Sequence, residues 1–182
     1  MRKTQRHSSK ERKINPHYWI FCEGETEESF ICYLRARYRI PIEIVPKVAG
    51  SSINPKYIAN HKKGKPTHEK DRDFLLYDAD EPNVLDKLKE LNAKLLLSNP
   101  CIELWFLLHY KNQTSNISSD NCLHELRNRN KSYVKGTIDY KLKEKLDSKT
   151  KEACNRAKKL TLYKNPSSNI FEFIEILESA NK

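Results

Sequence analysis

The sequence contains few glycines, and this scarcity argues against the common nucleotide-binding loops. Only four of its 182 residues are glycine. Neither the P-loop pattern G-x-x-x-x-G-K-[ST] nor the dinucleotide-binding pattern G-x-G-x-x-G occurs. The zinc-peptidase pattern H-E-x-x-H and the hydrolase elbow G-x-S-x-G are absent as well. Nucleophilic hydrolase chemistry therefore has little support.

Paired cysteines and long apolar runs are also missing. The chain has an odd number of cysteines, and no two of them form a C-x-x-C pair: Cys22, Cys32, Cys101, Cys122 and Cys154. Zinc-knuckle and redox-motif interpretations are therefore weak, and a reducing cytoplasm fits best. No apolar run approaches the length of a membrane span. The basic start is followed by only a short apolar stretch, so no signal peptide is predicted. We expect a cytoplasmic protein without a membrane partner.

Positive charge is abundant. The chain carries 34 Lys and Arg against 24 Asp and Glu, a formal net charge of +10. This balance favours a polyanionic partner, with nucleic acid as the first candidate, although a lysine-rich surface without function explains it equally well. Residues 1–14 are predicted to be a basic flexible arm that either contacts phosphate or keeps the chain soluble. Residues 15–182 are predicted to form one domain.

Strand and helix patterns alternate along the first two thirds of the chain. Apolar runs predict four strands, at 17–22, 42–48, 74–77 and 94–97. Helical spacing follows each of them, at 27–38, 55–61, 84–91 and 101–110. Thr26 and Asn99 are the predicted N-caps of the first and fourth helices. This alternation predicts an α/β fold built on a parallel sheet of about four strands with flanking helices.

The strand pattern ends beyond Lys111. The remaining chain predicts three helices, at 120–130, 137–163 and 168–180. This helical C-terminal third could cover the sheet, bind a partner protein or form a homo-oligomer.

Four acidic residues are predicted to meet at the carboxyl edge of the sheet, where parallel α/β proteins place their functional crevice. Glu23 follows the first strand, Asp78 and Asp80 follow the third, and Glu103 lies one turn into the helix after the fourth. Mg²⁺ prefers a few carboxylates together with water and phosphate oxygens. The pattern therefore predicts a Mg²⁺ site, with Mn²⁺ as an alternative ion, in which a further carboxylate is a ligand or a general acid or base.

Each acidic feature also has a structural explanation. D-A-D-E-P-N is a good turn and helix-start sequence. Glu103 stands among apolar residues and must find a partner, either an ion or a backbone amide in the first helical turn. His109 is more simply a buried structural histidine than a phosphate contact. Three glutamates are better explained as acids that the helix dipole favours in the first turn than as metal ligands: Glu25, Glu27 and Glu28.

Four sequence blocks together resemble the RloB-like family. They are F-C-E-G-E-T-E-E-S-F at 21–30, L-L-Y-D-A-D-E at 75–81, L-L-L-S-N-P-C-I-E-L-W-F-L-L-H at 95–109 and N-P-S-S-N-I at 165–170. The third block is the most specific of the four. RloB-like proteins are encoded in restriction–modification and phage-defence neighbourhoods of bacteria and archaea, and their core resembles the Toprim fold.

The resemblance implies a role for each acid. Glu23 matches the glutamate that ends the first Toprim strand, and Asp78 and Asp80 match the Asp-x-Asp that ends the third, a set that binds Mg²⁺. Glu103 matches an acidic position of the family itself. In one departure, Glu81 follows Asp80 where Toprim proteins usually have glycine.

The resemblance implies two kinds of function. The first is Mg²⁺-dependent nuclease cleavage of DNA or RNA in antiviral defence. The second is a non-catalytic nucleic-acid-binding or partner-binding subunit of a defence complex, in which the acids are turn and cap residues. In the first case, four basic side chains are candidates to guide the phosphate backbone: Lys47, Lys62, Lys63 and Lys65.

Overall fold

A five-stranded sheet forms the centre of the molecule. The computed structural model describes residues 14–181, apart from the side chain of Pro82. The strands are β1 (His17–Cys22), β2 (Glu43–Val48), β3 (Arg72–Asp78), β4 (Lys94–Asn99) and β5 (Ser167–Ser168). The helices are α1 (Glu25–Tyr38), α2 (Pro55–Lys62), α3 (Pro82–Lys89), α4 (Ile102–Leu108), α5 (Ser119–Arg129), α6 (Tyr140–Ala157) and α7 (Phe171–Ala180).

The sheet has the order β2-β1-β3-β4-β5. Its first four members are parallel to their neighbours, and β5 is antiparallel to β4. The predicted α/β fold, with a Rossmann-like parallel sheet, flanking helices and a helical C-terminal part, is confirmed. The fifth strand was not predicted, because two serines show neither the length nor the apolar character of a strand.

Side chains alternate between the two faces of the sheet, so each face has its own core. Ile20, Phe74 and Leu76 face the larger core, which α1 and α4–α7 cover. Phe21 and Leu75 face the smaller core, which α2 and α3 cover. Continuous apolar runs in β1 and β3 reflect burial on both faces, as expected of a parallel sheet.

The C-terminal third covers one face of the sheet. Phe173 of α7 packs edge-on against Phe74 of β3, with ring centroids 4.9 Å apart. Helices α5 and α6 pack on α4. The predicted helix at 137–163 is too long: α6 begins after its N-cap, Asp139, whose carboxylate accepts from the amide of Leu142 at 2.7 Å, and it ends at Ala157. The predicted helix at 168–180 begins instead at Phe171, because Ser167 and Ser168 pair with β4.

Both predicted N-caps are wrong. Gly24, not Thr26, precedes α1, and the Thr26 hydroxyl lies inside the helix, where it accepts from the amide of Gly136 at 2.9 Å. Asn99 is the last residue of β4, and Cys101 precedes α4. The predicted arm at 1–14 lies outside the described residues except for Ile14. Within residues 14–181, no helix combines the length and apolar character needed to cross a membrane.

Candidate active site

The carboxyl ends of β1 and β3 form the topological switch point of the sheet. These strands are neighbours, and the chain proceeds from β1 outward to β2 on one side and from β3 outward to β4 on the other. Ligands of open α/β sheets bind in the crevice outside such a point. Glu23 directly follows β1, and its amide still pairs with the carbonyl of Leu76 at 3.0 Å. Asp78 ends β3, so the two acids lie side by side.

A direct hydrogen bond joins these two residues. The backbone amide of Asp78 donates to Oε2 of Glu23 at 2.8 Å. Oδ1 of Asp78 is buried and has no hydrogen-bond partner among the described residues. A buried oxygen without a donor is costly unless a proton or a cation satisfies it. The pair thus combines a fixed carboxylate with an unsatisfied one.

The acids at this edge raise one another's pKa values. Burial, followed by the charges of Glu27 and other nearby groups, raises the pKa of Asp78 to about 10. Burial also raises the pKa of Glu23, and Asp80 adds to that shift. Because crowded, desolvated carboxylates cannot all ionise without a positive charge nearby, the site favours binding of a cation.

Glu27 is part of this cluster, although its place in the sequence predicts only an acid in the first turn of a helix. Its Oε2 accepts from the amide of Gly24 at 2.9 Å, which caps α1. It is buried, and burial raises its pKa to about 7, with the charge of Glu23 contributing. Placing the N-cap at Gly24 would have identified Glu27 as the third helical residue, which reaches back to the cap.

Glu103 lies in the first turn of α4 and is almost fully buried. The hydroxyl of Tyr133 donates to its Oε1 at 3.0 Å, and the ammonium of Lys135 lies 3.8 Å from the same oxygen. Its partner is therefore a tyrosine from the C-terminal part rather than a backbone amide. After burial and the charges of closer groups, the charge of Glu103 adds to the raised pKa values of Asp78 and Glu27.

Asp80 is exposed and lines a cleft of about 340 Å³ beside the switch point. Glu23, Asp78 and Glu81 line the same cleft. Its other wall combines apolar side chains with the single lysine Lys87. The structure thus brings Glu23, Asp78 and Asp80 to one cleft, and Glu103 is buried further inside.

The donor set fits Mg²⁺ held by a few carboxylates. Within residues 14–181, no group of three or more His, Cys, Asp or Glu side chains is arranged to hold a metal ion. Mg²⁺ commonly takes only one or two carboxylates and completes its shell with water and substrate phosphates. Asp78 would contribute its unsatisfied Oδ1 to such an ion, since hard carboxylate oxygens suit Mg²⁺.

The four lysines predicted from the sequence to guide phosphate are divided between the carboxyl ends and the amino ends of the strands. Lys47 lies near the carboxyl end of β2, paired in register with Phe21. Lys62 forms an ion pair with Asp73 at 2.8 Å, close to the amino end of β3. Lys63 and Lys65 are exposed in the loop after α2, which leads to that same amino end. The structure therefore does not bring Lys62, Lys63 and Lys65 to the acids.

His109 is a buried structural residue. It is 3% exposed, and its Nδ1 lies 2.9 Å from the carbonyl of Trp105. Burial lowers the pKa of His109 to about 4, so the imidazole is neutral near pH 7.

The fold and the site define a Rossmann-like α/β protein with an acidic cleft at its switch point. The chain belongs to a known family: the family model described as "RloB-like protein" matches residues 18–177. That span contains Glu23, Asp78, Asp80 and Glu103. No curated protein and no solved structure matches the chain.

Proposed function

We propose that this protein is a Mg²⁺-dependent nuclease of an RloB-like phage-defence or restriction-associated system that acts in the cytoplasm. The observation that carries the proposal is the Glu23–Asp78 pair, a fixed carboxylate beside an unsatisfied one at the switch point. Family membership supports it. The glutamate after β1 and the Asp-x-Asp that begins at the last residue of β3 also resemble the Toprim pattern.

The acids have distinct roles in this proposal. Asp78 and Asp80 hold Mg²⁺, and Glu23 is a further ligand or the general acid or base. When bound, Mg²⁺ offsets the charge of the phosphate and lowers the pKa of a bound water. The amide of Asp78 holds the Glu23 carboxylate at the strand end, so its position is set before substrate arrives. Glu103 lies behind these acids and orients Tyr133, whose hydroxyl donates to it.

The substrate is a nucleic acid, DNA or RNA. A net charge of +10 favours a polyanion, and Lys47 and Lys87 lie on the side of the sheet where the acids are. Binding of phosphate by Lys63 and Lys65 would occur at the opposite edge, so those lysines serve affinity rather than the chemical step.

The decisive experiment is a cleavage assay with matched variants. Purified protein is incubated with end-labelled DNA and RNA, single- and double-stranded, in Mg²⁺, Mn²⁺ or EDTA. We expect cleavage with either ion, none in EDTA and none by the Asp78→Asn/Asp80→Asn double variant. Asp86→Asn is the control, because Asp86 is exposed on α3 and pairs only with Lys89 among the described residues. Activity that survives the double substitution overturns the proposal.

A second candidate is a non-catalytic nucleic-acid-binding or partner-binding subunit of a defence complex. The observation that favours it is that no group of three metal-ligating side chains is found within residues 14–181. Under this proposal, Glu23→Ala and Asp78→Ala leave phage protection unchanged, and titration calorimetry with Mg²⁺ shows no binding. Loss of protection by either variant, at unchanged protein level, favours the nuclease.

A further inference from the structure

The loop between α5 and α6 is tied to the acidic site. At its base, the side-chain amide of Asn130 donates to both carboxylate oxygens of Asp139 at 3.0 Å. Ser132 donates to the same carboxylate at 2.8 Å. The loop is thereby closed at its base, and its middle, 133–136, reaches across to α1 and α4.

Three hydrogen bonds hold the middle of this loop. Tyr133 is buried and donates from its hydroxyl to Glu103 of α4. Gly136 has φ +82°, and its backbone binds two residues of α1: its amide donates to Thr26 Oγ1 at 2.9 Å, and its carbonyl accepts from Ser29 Oγ at 2.6 Å. The loop around Lys135 is therefore fixed on both sides, to α4 through Tyr133 and to the start of α1 through Gly136.

Lys135 is the cation that this arrangement presents to the acids. Its ammonium lies 3.8 Å from Glu103 Oε1, and the next residue, Gly136, is bonded to the first turns of the helix that follows Glu23. The Lys135 side chain is 56% exposed, whereas that of Glu103 is 2% exposed. An ammonium has three donors, and one loose ion pair leaves donors for a ligand that arrives from solvent.

We propose that Lys135 binds the reacting phosphate at the acidic edge and that the Asn130–Asp139 loop positions it there. The assignment of a reacting phosphate rests on the nuclease proposal. A phosphate oxygen near Glu23 and Asp78 takes the free N–H groups of Lys135, while Glu103 keeps the hydroxyl of Tyr133. A preorganised cation stabilises the negative charge that develops on the phosphate, the kind of contribution whose loss lowers a rate most.

The test compares Lys135→Gln, Lys135→Arg and Lys131→Gln. Lys131 is exposed near the base of the same loop and is the charge-matched control. In single-turnover cleavage with saturating protein, we expect Lys135→Gln to lower the rate by about 10²-fold. Lys135→Arg should retain much of the wild-type rate because the positive charge is kept, and Lys131→Gln should match wild type. Equal rates for Lys135→Gln and Lys131→Gln overturn a role in the chemical step.

A binding measurement separates this proposal from the nuclease proposal. Anisotropy of a labelled oligonucleotide is measured in EDTA over a range of salt concentrations, where no cleavage is needed. Lys135→Gln should weaken binding more than Lys131→Gln and reduce the slope of log K against log salt by about one. If no substrate is cleaved but this difference is found, the nuclease proposal fails and Lys135 is a phosphate contact without a role in a chemical step. If cleavage depends on Asp78 but Lys135→Gln and Lys131→Gln have the same binding and the same cleavage rate, only the Lys135 proposal fails.

Discussion

The backbone amide of Asp78 donates a 2.8 Å hydrogen bond to Oε2 of Glu23, so the ends of β1 and β3 are joined through a carboxylate. Two residues that lie 55 positions apart in sequence thus form a single unit. The bond satisfies one oxygen of Glu23 and leaves the buried Oδ1 of Asp78 without a donor in the described chain. A proton or a cation must fill that position, and which of them does so depends on pH and on metal.

Asp78→Asn should remove the dependence of stability on pH and on metal that Asp78 causes. The folded-state pKa of Asp78, about 10, lies above its unfolded value. The stability that protonated Asp78 contributes is therefore present at low pH and is lost as pH rises. The loss is at most about 1.4 kcal/mol per pH unit. In urea unfolding without metal, the free energy of unfolding of Asp78→Asn should therefore rise relative to that of wild type between pH 5 and pH 9.

Mg²⁺ should reduce that difference. At ten times its dissociation constant, an ion that binds only the folded state adds about 1.4 kcal/mol of stability. We expect this gain for wild type and for Asp86→Asn, but not for Asp78→Asn, in urea unfolding at pH 8. Parallel pH profiles, or an equal Mg²⁺ effect in all three proteins, would contradict the assignment of Asp78.

Gly136→Ala should reduce activity more than stability alone explains. Gly136 and Gly64 have similar positive φ values, +82° and +74°, and an added Cβ meets nothing closer than 3.5 Å at either position. Each alanine should therefore cost about 1 kcal/mol of backbone strain. Of these two glycines, only Gly136 contacts α1 and so helps to hold the loop that carries Lys135. In urea unfolding and cleavage assays, the two variants should lose similar stability, and only Gly136→Ala should lose cleavage rate at a temperature where both are folded.

The sequence predicts the parts of the fold that follow from hydrophobic pattern. The strand β1 is predicted with its observed ends, because His17–Cys22 is buried on both faces and the run stands out from polar neighbours. The strand β5 is not predictable in this way, since Ser167–Ser168 is fixed by pairing with Ser98 and Asn99 rather than by its own composition.

The candidate site was predictable only in part, for a similar reason. Strand ends place Glu23 and Asp78 at one edge by topology alone. No local pattern brings Lys135 to Glu103, because that contact depends on a loop held by Tyr133 and Gly136. Lys62, by contrast, matched a basic run but is paired with Asp73 in the folded chain.

Asn169 should be a stability residue rather than a site residue. Its buried side chain accepts from the amide of Leu97 at 2.6 Å and donates to the carbonyl of Leu95 at 3.0 Å, and so completes the edge of β4. Asn169→Ala leaves both backbone groups without partners, at a cost of about 2–4 kcal/mol. Asn121→Ala, on the exposed surface of α5, is the control. Urea unfolding should show a lower midpoint with an unchanged m-value for Asn169→Ala, and equal midpoints for the two variants would contradict this role.

His109 should make the protein sensitive to acid. Burial against Trp105 lowers its pKa to about 4, whereas the unfolded chain has an ordinary histidine near pKa 6.5. Between these values the unfolded state binds the extra proton, so the stability that neutral His109 contributes is present above about pH 6.5 and is lost as pH falls toward 4. The slope is at most about 1.4 kcal/mol per pH unit.

His109→Gln removes this titration and keeps a side-chain donor for the carbonyl of Trp105. We expect its unfolding free energy to change less than that of wild type between pH 7 and pH 4.5. His124→Gln, at an exposed position of α5, should keep the wild-type slope. Urea unfolding at closely spaced pH values measures both, and a wild-type slope in His109→Gln would assign the acid sensitivity to other groups.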